Sequence, residues 1–325
     1  MLPRPADPTL SCVMPAYNEA RTLPLVVPQV LAALQALASA VELIVVDDGS
    51  RDDTSTAMRP LLAAHPELVY LRLSRNFGKE AALSAGIDAA RGDAVLLIDA
   101  DGQHPLDLVP TMFERWREGA DMAIAIRKTR DDQSRLQARL TDIFYRLINW
   151  HSRIEIPAGA GDFRLMDRKV VEALKALPER SRFMKGLYAW VGFETVQLEY
   201  EPLARHAGKS RFGFGRAFML ALTGMLAFSS VPLRVMTFLG LALALASLGY
   251  AGWVIVEHFT QGIEVPGYAT IVVGMMFLSG IQLLGLGIVA EYVGRIYEEV
   301  KQRPSYLVRE RAGSGLPLPP VERGS

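Results

Sequence analysis

Two long apolar runs in the last third of the chain constrain its fold more than any other feature. The first run, Leu233–Val256, carries one charge, Arg234 near its start, and the second, Ile271–Val289, carries none. Each run is long enough to cross the roughly 30 Å hydrocarbon core of a bilayer as a helix. A soluble helix of this length seldom lacks a polar face, so we expect two membrane spans rather than two buried helices of a soluble core.

The charges that flank these runs predict an orientation in the membrane. The connection between the runs, Glu257–Gly267, contains no Lys or Arg, whereas basic residues precede the first run and follow the second. Because basic residues are retained in the cytoplasm, both chain ends are expected there and the connection outside. Met1–Leu10 has no charged-then-apolar signal sequence. We therefore predict a multi-pass protein of the inner, cytoplasmic membrane, with the lipid bilayer as a partner.

Composition excludes several classes of function. The 325 residues include 35 acidic and 35 basic side chains, so no net positive charge is available to bind nucleic acid. Cys12 is the only cysteine of the sequence, which excludes an intramolecular disulfide and a multi-cysteine metal site. Hydrophobic residues make up 50% of the chain, which excludes a disordered protein.

Short apolar runs alternate with helical patterns in the first two-thirds of the chain. Five such runs are followed by polar turns: Leu10–Met14, Val41–Val46, Val69–Leu73, Ala94–Ile98 and Met122–Ile126. Buried strands separated by helices predict a mostly parallel sheet. Such sheets bind their ligands at the carboxyl ends of the strands, which is where the polar clusters of this chain fall.

The polar cluster with the clearest chemistry is Asp99-Ala100-Asp101, directly after the fourth apolar run. Two carboxylates at close range are both ionised at low cost only when a cation joins them. Oxygen ligands suit Mg²⁺ or Mn²⁺, which typically bind through one or two carboxylates and substrate phosphates. Gln103 adds an amide oxygen two residues further on. The cluster therefore predicts a divalent-metal site, with a solvated acidic turn as the alternative.

Four further clusters lie after strands or before the first apolar run. Asp47–Ser50 can accept hydrogen bonds from a base or ribose, or can precede a helix cap. Pro15–Glu19 has a rigid turn and a glutamate that suits a helix start. Arg75–Lys79 puts a cation at a helix start, where an anion is favoured, which indicates an anionic ligand for Lys79. Arg205–Arg211 suits phosphate oxygens, or marks the cytoplasmic boundary.

Together these clusters resemble the motifs of family 2 glycosyltransferases. Within that family the chain is similar to the polyprenyl-phosphate hexosyltransferases, which include dolichol-phosphate mannose synthase and bacterial enzymes that glucosylate undecaprenyl phosphate. The resemblance runs from about Leu10 to Tyr306, and Glu291–Pro304 resembles the bacterial two-span branch. It implies an α/β GT-A (nucleotide-diphospho-sugar transferase) domain with a C-terminal two-helix transmembrane hairpin.

The resemblance also implies roles for individual residues. The residues expected to bind the nucleotide-sugar donor or the phosphates are Pro15, Tyr17, Glu19, Val46, Asp48, Lys79, Ala100, Arg139, Arg205, Ser210 and Arg211. The expected metal ligands are Asp99, Asp101 and Gln103, and the expected catalytic residues are Asp99, Asp101, Arg127 and Asp162. Asp162 is expected to orient the sugar or an arginine, with a structural ion pair to Arg164 as the alternative.

The implied reaction is metal-dependent, inverting transfer of a hexose from a nucleotide-diphospho-sugar to polyprenyl phosphate. UDP-glucose is the favoured donor and GDP-mannose the next. A lipid phosphate is already anionic at neutral pH and needs no general base, whereas a hydroxyl acceptor needs one, for which Asp162 is the best candidate. Two alternatives stay open: transfer to a hydroxyl of a lipid or protein, and a non-catalytic membrane scaffold.

These patterns predict the domain organisation. Residues 1–215 form a cytoplasmic catalytic domain, in which 134–150 either packs on the core or lies on the membrane surface. A juxtamembrane helix is expected at 216–230, membrane spans at 231–256 and 268–290, and an external loop at 257–267. Residues 291–325 form a cytoplasmic tail that is disordered from Gly313 onward. The glycines of both spans permit helix pairing, and with it a homo-oligomer.

Overall fold

The computed structural model describes residues 4–128, 160–180, 182–201, 231–261 and 267–317. Several predictions lie outside these residues. They are the site residues Arg139, Arg205, Ser210 and Arg211, the candidate interfacial helices at 134–150 and 216–230, and the end of the tail from 318 onward.

Strands and helices alternate through the first 200 residues, and two long helices follow. In chain order the elements are β1 (Leu10–Ala16), α1 (Leu23–Gln35), β2 (Val41–Asp47), α2 (Thr54–Ala64), β3 (Leu68–Leu73), α3 (Lys79–Ala89), β4 (Ala94–Leu97), α4 (Leu108–Arg117), β5 (Met122–Arg127), β6 (Ala160–Asp167), α5 (Arg168–Ala176), α6 (Met184–Trp190), β7 (Thr195–Tyr200), α7 (Val231–Gln261), α8 (Tyr268–Val300) and β8 (Val308–Ala312).

The described strands form one sheet in the order β7-β5-β6-β4-β1-β2-β3-β8. β1 pairs in parallel with β2 and β4, β2 with β3, and β5 with β7. β6 and β8 run antiparallel to their neighbours. The five predicted strands and the mostly parallel sheet are confirmed, with small shifts at strand ends. β6, β7 and β8 are additions that the apolar pattern did not predict.

Helices cover both faces of the sheet, because successive side chains of a strand point to opposite faces. Cys12 and Met14 belong to the apolar cluster that includes α1, α2 and α4, whereas Val13 belongs to the cluster of α3, α5 and α6. β1 to β5 all point the same way, since β6 is antiparallel to both β4 and β5. Their carboxyl ends therefore share one edge, which we name the site edge.

The chain after α8 returns to the sheet, and we name residues 301–317 the C-terminal strap. β8 pairs with β3, and Leu316 is buried. The Leu316 N–H donates to the buried carboxylate of Glu42 at 3.0 Å, and the Arg91 guanidinium donates to the Leu316 carbonyl. The prediction of disorder from Gly313 onward is therefore wrong for residues 313–317. The glycines and prolines of the tail predicted that it lacks regular structure. Residues 313–317 are instead ordered because Leu316 packs into the core of the sheet domain.

The two long helices present apolar side chains without cover from the described chain. Phe238 on α7 and Met276 on α8 are 70% and 71% exposed. Among the described residues, Val273–Val300 is long and apolar enough to cross a membrane, and Met236–Ser247 is a shorter apolar stretch within α7. Soluble monomers seldom expose so large an apolar surface, which marks this part of the protein as a membrane or protein contact.

Candidate active site

The loops after β1 and β2 are joined by hydrogen bonds at the site edge. The Asn18 N–H donates to Ser50 Oγ at 2.8 Å, and the Asn18 side-chain oxygen accepts from the Arg51 N–H at 2.9 Å. The Glu19 N–H donates to Thr54 Oγ1 at 3.0 Å. Asn18 has φ of 58°, in the left-handed region that asparagine tolerates. This pair of loops and strand ends carries the predicted nucleotide-binding residues Pro15, Tyr17, Glu19, Val46 and Asp48.

Asp48 connects this pair of loops to the loop after β3. Its carboxylate accepts from the N–H groups of Phe77 at 2.7 Å and Gly78 at 2.9 Å. Burial raises the pKa of Asp48, and the two hydrogen bonds act in the opposite direction. Gly78 has φ of 100°, a conformation that favours glycine. These bonds place Lys79 as the first residue of α3.

Lys79 bridges two of the predicted catalytic aspartates. Its Nζ lies 2.6 Å from Oδ1 of Asp99 and 2.7 Å from Oδ2 of Asp162. Burial by itself would lower the pKa of Lys79, but the two carboxylates raise it above its ordinary value. Burial would likewise raise the pKa of Asp99, but Lys79 and His104 hold it below the ordinary value. The ion pairs join the start of α3, the end of β4 and β6.

Asp162 does not form the alternative ion pair with Arg164. The Arg164 guanidinium donates to the Gly161 carbonyl at 2.5 Å and lies 3.5 Å from the centroid of the Tyr188 ring. Asp162 pairs with Lys79 instead. Its second oxygen, Oδ1, is buried and has no hydrogen-bond partner among the described residues. A buried, unsatisfied carboxylate oxygen is costly, so this atom is suited to accept a hydrogen bond from a ligand.

His104, which the sequence analysis did not single out, lies beside Asp99. Its Nε2 is 3.5 Å from Asp99 Oδ2, and its side chain is 10% exposed. The imidazole packs 4.5 Å from the Phe163 ring, and its Nδ1 is buried without a partner in the described part of the chain. Its position directly after Gln103 could have indicated a site residue. A histidine in a turn does not by itself predict a role, because the role depends on neighbours that only the fold supplies.

Asp101, Gln103 and Arg127 complete the described part of the site. Asp101 Oδ1 accepts from the Gln103 N–H at 3.1 Å, which closes the turn after β4. Arg127 ends β5 and lies opposite Tyr200 of β7. Burial raises the pKa of Tyr200, which also interacts with the charges of Arg127, Asp99 and Asp101. The arginine and the aspartates therefore lie near one another at the site edge.

Glu80, next to Lys79 on α3, is a second group that the sequence analysis missed. Its carboxylate accepts from the Met184 N–H at 3.0 Å, which joins α3 to the start of α6. Burial, followed by the negative charge of Asp162, raises the pKa of Glu80 to about 7. The site thus contains a carboxyl group that is partly protonated near neutral pH.

The donor set fits a divalent cation that completes its coordination with substrate. No group of three or more His, Cys, Asp or Glu side chains in the described residues is arranged to hold a metal ion. Asp99 and Asp101 nevertheless offer carboxylate oxygens on one turn. Mg²⁺ commonly binds through one or two carboxylates and takes further oxygens from phosphates and water. The residues present therefore fit a metal that is shared with a phosphorylated ligand.

Comparison with known proteins places the chain in a family. The profile described as glycosyl transferase family 2 matches residues 11–175. An uncharacterized glycosyltransferase of Synechocystis is 44% identical over 95% of this chain and 98% of its own length. The chain belongs to glycosyltransferase family 2. The enzyme class and the GT-A fold expected from the motifs are thereby confirmed.

Further matches of this family 2 glycosyltransferase cover a C-terminal segment in one case and most of the chain in two others. The profile described as GtrB C-terminal hairpin matches residues 231–296, and with the apolar helix it identifies the glycosyltransferase as membrane-associated. The SfII prophage-derived bactoprenol glucosyl transferase of Shigella flexneri is 43% identical over 93% of this chain and 97% of its own. A crystal structure of mannosyl-3-phosphoglycerate synthase from Rubrobacter xylanophilus is 19% identical, with a TM-score of 0.46, over 80% of this chain and 78% of its own.

Proposed function

We propose that this enzyme transfers a hexose from a nucleotide-diphospho-sugar, with UDP-glucose favoured and GDP-mannose next, to polyprenyl phosphate in the membrane. One observation carries the choice of acceptor: α8 ends at the site edge. Arg180 lies in the loop between α5 and α6. Its backbone N–H donates a hydrogen bond, 3.1 Å long, to the carboxylate of Glu299 near the end of α8. The Ser74 N–H, just after β3, donates to the Leu307 carbonyl at 2.8 Å. A substrate that stays in the bilayer is thus within reach of the site.

The names of the relatives agree with this acceptor. The Shigella flexneri protein is a bactoprenol glucosyl transferase, and a protein of the same name from Shigella phage SfX is 43% identical over 93% of this chain. Their similarity extends through the hairpin as well as the catalytic domain. A shared membrane segment supports a shared lipid acceptor, and the word glucosyl in these names supports glucose as the transferred sugar.

The proposed roles of the residues follow from charge. A phosphate acceptor is already a nucleophile, so the site has to relieve repulsion between two anionic substrates rather than remove a proton. Lys79 and Arg127 supply positive charge at the site edge, and Asp99, Asp101 and Gln103 would hold the divalent metal. When bound, Mg²⁺ or Mn²⁺ neutralises charge on the donor diphosphate and stabilises the leaving nucleotide.

Asp162 is proposed to position the donor sugar. Its unpartnered Oδ1 can accept a hydrogen bond from a sugar hydroxyl. A sugar held on one face by this contact is open to the acceptor phosphate on the opposite face. Direct attack on the anomeric carbon then inverts its configuration and gives a β-linked product from an α-linked donor.

Arg139, Arg205, Ser210 and Arg211 remain proposals from the resemblance, since they lie outside the described residues. Arg139 is proposed to bind the acceptor phosphate, and the other three the phosphates near the membrane surface. Oligomer formation through the spans likewise stays a prediction.

The pairing of β8 with β3 supports the proposed topology. Both strands belong to one sheet, so the catalytic domain and the C-terminal strap share one side of the membrane. The chain between β3 and β8 must therefore cross the membrane an even number of times. Two spans, formed by α7 and α8, meet this requirement, and the flanking basic residues favour the cytoplasmic side for the domain.

The testing experiment is a transfer assay with the purified full chain in detergent. Undecaprenyl phosphate, Mn²⁺ or Mg²⁺ and a panel of UDP- and GDP-sugars are supplied, and lipid-extractable sugar is measured. We expect transfer from one donor, lost on chelation and lowered at least about 100-fold in Asp101→Ala. Asp107→Ala, which alters an exposed aspartate of the same loop, is the matched control and should keep wild-type activity.

Two outcomes would reject the proposal. Transfer to a lipid or protein hydroxyl, abolished by Asp162→Asn, would instead support the general-base alternative. Nucleotide binding without turnover of any donor would support the scaffold.

A further inference from the structure

A positively charged side chain, Lys79, lies at the site edge beside the expected metal ligand Asp99. The Lys79 ammonium contacts Asp99 Oδ1 at 2.6 Å and Asp162 Oδ2 at 2.7 Å. Both contacts are short enough to be charge-assisted hydrogen bonds. Lys79 therefore neutralises one metal-ligating and one sugar-orienting carboxylate at the same time.

The side chain of Lys79 is partly exposed, while its backbone is fixed. The preceding residue, Gly78, is held by the Asp48 carboxylate at 2.9 Å, and Lys79 begins α3. The Lys79 side chain is nevertheless 45% exposed, compared with 29% for Asp99 and 11% for Asp162. A flexible four-carbon stem on a fixed backbone lets the ammonium exchange partners without moving the sheet.

The acidic ligands that the described residues offer to a free metal ion are few, and one of them is already engaged. The described residues contain no cluster of three or more acidic, histidine or cysteine side chains suited to a metal. One carboxylate that the metal needs is already paired with an ammonium. A divalent cation that arrives alone therefore meets a carboxylate that is already paired and a neighbouring positive charge.

We propose that Lys79 is an exchangeable counter-ion, which holds Asp99 and Asp162 in the free enzyme and moves to the donor diphosphate when the metal and nucleotide-sugar bind. The exchange frees Asp99 for the metal and Asp162 for the sugar. It also makes metal and nucleotide bind cooperatively, because each removes an obstacle to the other. This inference rests on the proposed function, which supplies the diphosphate as the second partner of Lys79.

Binding of Mn²⁺ alone to the full chain in detergent tests the inference, with calorimetry or Mn²⁺ electron paramagnetic resonance as the readout. The variants are Lys79→Met and Lys79→Gln, which are neutral, and Lys79→Arg, which keeps the charge. Lys175→Met is the matched control, since Lys175 forms a distant surface ion pair with Glu172. Thermal unfolding of each variant verifies that it is folded. Two neutral variants are used so that the test can proceed if one of them does not fold.

We expect both neutral variants to bind Mn²⁺ alone at least about tenfold more tightly than the wild type, because a unit positive charge about 3 Å from a ligand has been removed. Lys79→Arg and Lys175→Met should match the wild type. The factor by which UDP tightens Mn²⁺ binding should fall at least about tenfold in the neutral variants, since cooperativity is reciprocal.

Unchanged or weaker Mn²⁺ binding in a folded neutral variant would overturn the inference, as would wild-type cooperativity with UDP. This failure is distinct from failure of the proposed function. If the wild type transfers sugar to undecaprenyl phosphate while Lys79→Met binds Mn²⁺ as the wild type does, only the counter-ion role is rejected.

Discussion

Single buried carboxylates fix the backbone of the loops that surround the site, in addition to any role in its chemistry. Asp48 fixes the loop that begins α3, and Glu80 fixes the start of α6. Lys79, directly before Glu80 in the sequence, pairs with Asp99 after β4 and with Asp162 of β6. Positions that look interchangeable in the sequence, as acidic residues after strands, therefore have distinct roles that depend on their partners.

Asp48→Asn is predicted to loosen the loop before α3. An amide offers one acceptor oxygen for two backbone donors, so one N–H of Phe77 or Gly78 loses its partner. The expected cost is about 1–3 kcal/mol in the free energy of unfolding. Donor affinity should fall as well. Thermal unfolding and UDP titration measure both, and the exposed Asp53→Asn is the control. A melting temperature equal to that of the control would contradict the prediction.

Glu80→Gln is predicted to change the pH dependence of stability. The folded-state pKa of Glu80, about 7, lies above the ordinary glutamate value of 4.5, so the folded protein keeps a proton that the unfolded chain releases. The contribution of Glu80 to the free energy of unfolding is therefore present below pH 4.5 and is lost as the pH rises through 7. The groups that face Glu80 are Asp162, Lys79, Lys185, Arg164 and Tyr188.

The size of this effect is on the order of 2–3 kcal/mol between pH 4.5 and 8. Glutamine keeps an acceptor for the Met184 N–H but cannot ionise. The melting temperature of Glu80→Gln should therefore fall less between pH 5 and pH 8 than that of the wild type. Glu114→Gln, on the exposed face of α4, serves as the control. Parallel pH profiles for wild type and Glu80→Gln would refute the assignment.

At the scale of elements, the C-terminal strap completes the catalytic sheet. β8 covers the edge of β3, which would otherwise present unpaired backbone groups. Beyond it, Gly313 has φ of 85° and lies against the Leu68 carbonyl, where any Cβ would overlap. Glu42, buried between β1 and the strap, also accepts from Ser11 Oγ at 2.5 Å. The strap is thus part of the folded domain and not an appendage of α8.

Leu316→Ala is predicted to destabilise the catalytic domain by about 2–4 kcal/mol, because it removes a buried side chain and leaves a cavity. Leu316 is 5% exposed, whereas Leu307 in the same strap is 54% exposed. Leu307→Ala is therefore the matched control and should cost little. Thermal unfolding in detergent measures both. Equal melting temperatures would contradict the predicted contribution of the Leu316 side chain.

For the molecule as a whole, sheet pairing couples the long apolar helix α8 to the catalytic domain. α8 continues to Val300, beyond the predicted end of the second span at residue 290. Its last turn contacts the loop between α5 and α6 through Glu299, and the strap then pairs with β3. The catalytic domain is therefore joined to α8 at two places, and the site edge is the side from which α8 departs.

The proposed topology predicts opposite labelling of two positions in intact cells. Gly267→Cys, at the start of α8, should react with a membrane-impermeant maleimide from outside. Arg309→Cys, exposed on β8, should react only after lysis. The native Cys12 gives little background, because it is fully buried and burial raises the pKa of its thiol. Labelling of both positions from the same side would reject the hairpin.

Local patterns in the sequence determined much of this protein. Short β-branched runs specified the five central strands, since a strand buried on both faces has to be apolar throughout. The length of the apolar runs predicted the two long helices α7 and α8, and Asp99-Ala100-Asp101 indicated the proposed metal site. The spacing of polar clusters after strands also placed Asp48, Lys79 and Arg127 at one edge, because parallel strands share the direction of their carboxyl ends.

Contacts between distant segments follow from the tertiary fold and have no local signal in the sequence. The pairing of Lys79 with Asp99 and Asp162 depends on β6, which enters the sheet next to β4 and is antiparallel to it. β6 carries charged residues within its apolar pattern and gives no clear strand signal. The strap is likewise held by β3, Glu42 and Arg91, more than 200 residues earlier. Hydrogen bonds and ion pairs of this kind depend on where the chain returns, which local propensity does not encode.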